Sequence, residues 1–310
     1  MYSIEVKILK NPLAHYVAFI VVYLVLTLEL PTNHTAMRSY GLTPLRYHLL
    51  FLLVALPFVG IWFAAFYGYV RLRKYAVAIG GAQESRDFQL LATGSGWLAY
   101  GLPIAALSSI TLNSIANQVA HFHPLAVIIN NYISLVLPLV AFTILGTSAR
   151  RLASRSQAQL SLGAGRCLVL IFALLGVFYC YFTFRHLSGL SLTAIDNPYF
   201  LPVWLVVVSI VIPYLYAWSI GLLAAYEIVL FAKKSQGVLY TQALRYLGFG
   251  IATVIVSSVA LQYLSSIIPR SGSSHLGYYL LCIFTIELLS AGGYGLIAQG
   301  ALRLRRIEEV

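Results

Sequence analysis

Charge is scarce in this chain: only 9% of its 310 residues are Asp, Glu, Lys or Arg. Soluble proteins carry about 25%, so a fold with water on every side is excluded. Cysteine is scarcer still. Cys167, Cys180 and Cys282 all fall within or at the edge of apolar runs, which argues against a disulfide framework and fits three small buried residues. The sequence has no glycine-rich phosphate loop, no Cys pair at metal-ligand spacing, no Gly-x-Ser-x-Gly elbow and no mid-helix lysine to hold a retinal Schiff base. It therefore points to no enzyme class and to no cofactor.

What is present is apolar. Hydrophobic residues make up 60% of the chain, and the mean hydropathy is +0.84. A helix needs roughly 20 apolar residues to cross a hydrocarbon core of about 30 Å, and must satisfy its own amides on the way. Eight runs meet that need: Leu13 to Leu30, Leu49 to Val70, Leu90 to Ile115, Leu125 to Ser148, Leu168 to Phe184, Phe200 to Phe231, Tyr246 to Ile268 and Tyr278 to Leu302. They are continuous and lack the alternation of barrel strands. The expected fold class is all-α, a polytopic membrane protein of about eight transmembrane helices with the lipid bilayer as its main partner. The first run is too long for a cleaved signal, contains Glu29 and lacks a small-x-small site after it, so it reads as an anchor.

A shift of 156 residues lays one part of the chain on another. Pro57 then falls on Pro213, Trp62 on Trp218, Ala76 on Ala232, Gly81 on Gly237, Leu91 on Leu247, Gly94 on Gly250 and Ser109 on Ser265, without a gap. The matches suggest two four-helix repeats, 1–155 and 156–310, joined at the Ser- and Gln-rich stretch from Arg150 to Arg166. A repeat with an even number of crossings keeps its orientation, so the halves are expected to be parallel, related by an axis along the membrane normal.

The net charge of +11 is sorted by side. Sixteen of twenty basic residues fall at the start, at the end and in the second, fourth and sixth loops, among them Arg71, Arg73, Lys74, Arg150, Arg151, Lys233, Lys234 and Arg303. Such sorting is an orientation signal rather than a nucleic-acid footprint, and places both termini in the cytoplasm of a plasma or inner membrane. The segments Leu72 to Phe88 and beyond Lys234 read as short interfacial helices broken by Gly81 and Gly237. Asn33-His34-Thr35 in the first loop is a weak glycosylation sequon.

Few residues in the runs carry chemistry. Glu287 lies about ten residues into the eighth run, and an intramembrane carboxyl is costly enough to be a functional candidate. The shift pairs it with Asn131, so Glu287, Asn130 and Asn131 are candidates for the path of a small solute or ion. Pro57 and Pro213 are expected to kink their helices by removing a donor, as a fixed bend or a hinge. Glu227 and its repeat mate Arg71 are a candidate charge pair, with Lys233 or Lys234 as simpler partners for Glu227. Ser290-Ala291-Gly292-Gly293-Tyr294-Gly295, with Ala291 and Gly295 one turn apart, reads as a helix-packing face. Six of seven histidines cluster toward the outer side, so His121-x-His123 with His48 is a weak candidate for a metal or haem site. A small-solute transporter or channel is the leading expectation, with a non-catalytic membrane subunit and a metal or haem redox protein as the alternatives.

Overall fold

The computed structural model describes residues 12–29, 43–79, 82–118, 123–155, 203–235, 237–267 and 273–308, together with Leu170, Leu174, Val177 and Tyr181. Within them are seven α-helices and no strand: α1 (Pro12–Glu29), α2 (Pro44–Ala78), α3 (Ala82–Gln118), α4 (His123–Arg155), α5 (Val203–Lys234), α6 (Val238–Ile267) and α7 (Ser273–Glu308). Five of these, α3 to α7, contain stretches long and apolar enough to cross a membrane. Leu170, Leu174, Val177 and Tyr181, the described residues of the fifth apolar run, are helical and exposed. Asn33, Cys167 and Cys180 lie outside the described residues, and Cys282 is a half-buried free thiol.

The helices are longer than the runs. Residues read as an interfacial segment after Leu72 instead continue α2 to Ala78, because no helix breaker precedes the Gly80-Gly81 pair. α5 likewise runs to Lys234. Gly237 then adopts a φ of +97°, which side-chain-bearing residues rarely tolerate, and α6 begins at once. Two further prolines, Pro103 in α3 and Pro138 in α4, also sit inside helices. All four prolines are held within continuous helices, as neighbouring helices and hydroxyls in a membrane bundle permit.

Packing follows the chain and then closes on itself. α2 packs on α3, α3 on α4, α4 on α5, α5 on α6 and α6 on α7, and α7 returns to α2, while α1 lies against α2 and α3. Contacts fix the directions. A Cβ on Gly94 of α3 would meet Leu145 of α4, and one on Gly101 would meet Leu137, so α3 and α4 are antiparallel. In contrast, α4 and α5 touch at Tyr132 and Ser209 near their starts and at Gly146 and Ile220 further along, and so run the same way. With α2–α3, α5–α6 and α6–α7 antiparallel, α2 and α7 must also be parallel. The exposed Arg73, Lys74, Arg86, Arg150, Arg151, Lys233, Lys234 and Arg245 consequently share one end of the bundle.

The interior is as apolar as the lipid-facing surface, so exclusion from water cannot hold it together; close fit must. Trp62, Trp218, Tyr214, Phe88 and Phe142 are its largest fully buried side chains. Glycine permits the nearest approaches. A Cβ on Gly250 would lie 2.7 Å from the Gly293 carbonyl and 2.8 Å from the Ile297 amide. The packing face of α7 is therefore Gly293 and Gly300, rather than the Ala291–Gly295 pair expected above, since nothing lies within 4 Å of a Cβ on Gly295. Outward positions such as Ile212, Tyr216, Phe249, Val256, Leu281 and Leu288 are exposed, as lipid contact allows.

Candidate functional site

Glu287 stands in the N-terminal half of α7, on a helix that packs against α6 and α2. It is only 4% exposed. Both carboxyl oxygens are buried, and neither has a hydrogen-bond partner among the described residues. One turn further on, Ser290 Oγ donates to Ser257 Oγ of α6 at 2.7 Å, and Ser257 Oγ in turn donates to the Val254 carbonyl at 2.8 Å. Ser257 is fully buried. Two hydroxyls thus lie in the α6–α7 seam one turn of α7 from the carboxyl, and their protons are given to the Ser257 oxygen and to the backbone. Sequence reasoning missed Ser257 and took Ser290 for packing, because nothing in either segment shows that they meet.

Asn130 and Asn131 are half-buried on α4. Ser108 Oγ of α3 lies 3.5 Å from Asn130 Oδ1, which turns that amide toward the α3–α4 seam. Beside them the Tyr132 hydroxyl bonds to Ser209 of α5, one turn before Pro213. No described contact joins Glu287 to Asn130 or Asn131. An open apolar groove of about 540 Å³ lies between α4 and α5, with Leu139, Thr143, Ile212, Pro213 and Tyr216 in its wall. It borders the Pro213 position but contains none of the three path candidates. Thr143 spends its hydroxyl on the Leu139 carbonyl, so the groove offers little but hydrocarbon.

At the basic end Glu227 meets a base other than Arg71. Its Oε1 lies 3.9 Å from Arg150 Nε of α4, whereas the Arg71 guanidinium rests over the Tyr67 ring at 4.9 Å. Helix direction explains the exchange: α4 runs alongside α5 and brings its own basic end to Glu227. On the adjoining face, Arg303 of α7 donates to Gln242 of α6 and covers the Tyr246 ring at 4.6 Å. Nearby, the Tyr240 hydroxyl donates to Glu84 Oε1 at 3.1 Å, tying the start of α6 to the start of α3.

The histidine cluster cannot be assembled: His121 and the side chains of His48 and His123 lie outside the described residues. Among the described residues no three His, Cys, Asp or Glu side chains come together as a metal site. His15 pairs with the Tyr100 hydroxyl at 2.8 Å, holding α1 to α3. The described helices are those of a multipass membrane protein, and among the described residues Glu287 has both carboxyl oxygens buried without a hydrogen-bond partner. No family model, curated protein or solved structure matches the chain.

Proposed function

We propose that the protein is a carrier for a small solute or ion, built from two parallel four-helix halves, with Glu287 as the group that takes up a cation. The observation that carries this reading is the state of that carboxyl. A structural carboxyl inside a membrane bundle is held by donors. Leaving buried acceptors unmet costs about 1–3 kcal/mol each, and more for a charged group. A carboxyl kept under such a penalty is best understood as one whose partner comes and goes.

The two-repeat architecture is supported by several pairings. Under the 156-residue shift the α4–α5 packing corresponds to α7–α2, and the two pairs are the parallel ones. Gly94 approaches Ala141 and Leu145, while its mate Gly250 approaches Ile297, the mate of Ala141. Glu84 and Tyr240 are themselves mates, 156 residues apart and hydrogen-bonded. Two mates in contact lie close to the axis that relates the halves, since each sits at half their separation from it. Parallel α4 and α5 are compatible with a further span at Leu168 to Phe184 between them and with a chain whose two ends share the cytoplasmic side.

A non-catalytic membrane subunit is the second reading, favoured by the near-complete burial of Glu287 and by a groove that is apolar and apart from it. Reconstituted liposomes separate the two. Uptake of labelled small solutes is measured under imposed proton and sodium gradients, with wild type and Glu287→Gln. Gradient-driven uptake that is lost in the variant is expected. Equal uptake by both removes Glu287 from the mechanism, and no uptake of any solute by wild type supports the subunit.

A further inference from the structure

We infer that Glu287, Ser290 and Ser257 form a binding site for one dehydrated monovalent cation of the sodium type; its use in coupling rests on the carrier reading, its geometry does not. Glu287 and Ser290 are three residues apart on α7, which places them on one face with Cβ atoms about 5–6 Å from each other. Ser257 joins them from α6 through the 2.7 Å bond to Ser290. Both hydroxyl protons are spent, that of Ser290 on Ser257 and that of Ser257 on the Val254 carbonyl. What these groups have left to offer is lone pairs. Two carboxyl oxygens with no donor and, one helical turn along α7, two hydroxyl oxygens with no spare proton make an all-oxygen acceptor set of the kind a hard cation requires.

Charge selects the valence. Every other charged residue of α6 and α7, namely Arg245, Arg303, Arg305, Arg306 and Glu308, lies toward the opposite, basic end of those helices. Glu287 therefore has no protein cation on its own seam, and one monovalent ion brings the site to neutrality. A divalent ion would leave a net positive charge in hydrocarbon, at a cost of several kcal/mol.

Binding is read without transport. Thermal unfolding of the detergent-solubilised full chain is followed in sodium chloride and in choline chloride at equal ionic strength. Sodium alone is expected to raise Tm, by about 5 °C at a hundredfold excess over Kd. Glu287→Gln is expected to lose the sodium-specific rise. Ser257→Ala, a small change that leaves the carboxyl in place, is expected to move the sodium midpoint upward on the order of tenfold. Equal stabilisation by choline, a sodium rise that survives Glu287→Gln, or stabilisation by lowered pH with sodium indifferent would each overturn the site. Sodium stabilisation without solute uptake defeats the carrier reading alone, and gradient-driven uptake without sodium stabilisation defeats this site alone.

Discussion

Neither oxygen of Glu287 meets a donor, although Ser290 lies one turn away, and that small fact decides how the interior is read. The presence of the carboxyl was legible from sequence, since an acid within an apolar run stands out by cost alone. Its surroundings were not. Ser257 and Ser290 are 33 positions apart and come together only through the α6–α7 packing. Arg150 was hidden for a similar reason: the 156-residue shift offers Arg71 to Glu227 and the sequence neighbours are Lys233 and Lys234, while the parallel course of α4 and α5 brings Arg150 to it. Glycines give a residue-scale prediction of opposite signs. Gly250→Ala puts a methyl 2.7 Å from the Gly293 carbonyl and should lower stability by about 1–3 kcal/mol. Gly295→Ala meets nothing within 4 Å and should raise it, by up to about 1 kcal/mol through helix propensity. Thermal unfolding of the two variants side by side checks the pair.

Helices as elements were largely readable, because runs of apolar residues this long admit only helix in lipid. Their ends were less so. The chain past Leu72 is charged and aromatic enough to resemble an interfacial segment, yet nothing in it stops α2 before Ala78. Pro57 and Pro213 were noticed as repeat mates, while Pro103 and Pro138 passed unmarked within their runs. Proline also gives the element-scale prediction. By removing its own N–H, Pro213 leaves the Ser209 carbonyl without its helical partner, and the Ser209 side chain is bound to Tyr132 of the parallel helix α4. That bond should fasten the Pro213 segment of α5 to α4. Tyr132→Phe and Ser209→Ala are each expected to cost about 0.6 kcal/mol, typical of hydroxyl bonds between membrane helices. The double variant should cost little more than either single one, in a cycle measured by unfolding. Additive losses would show that the two hydroxyls act separately.

At the scale of the molecule, six helices close a circuit in which two contacts, α4 with α5 and α7 with α2, join helices that run the same way. Sequence periodicity alone does not give such a circuit, since which helix closes on which is decided by packing. The charge pattern does anticipate that the basic residues gather at one end of the bundle, because Lys and Arg resist transfer across lipid. The bond from Tyr240 to Glu84 adds that the starts of α3 and α6 meet at the basic end. The proposed side-by-side arrangement of two like-oriented halves is tested most directly by labelling. Single cysteines at Ser154, Ser235, Thr43 and Ser273, in a chain whose three native cysteines are replaced by alanine, are exposed to a membrane-impermeant thiol reagent from either side. Ser154 and Ser235 are expected to react only from the cytoplasmic side, and Thr43 and Ser273 only from the outside. Labelling of Ser154 and Ser235 from opposite sides would contradict parallel α4 and α5, and with them the paired halves.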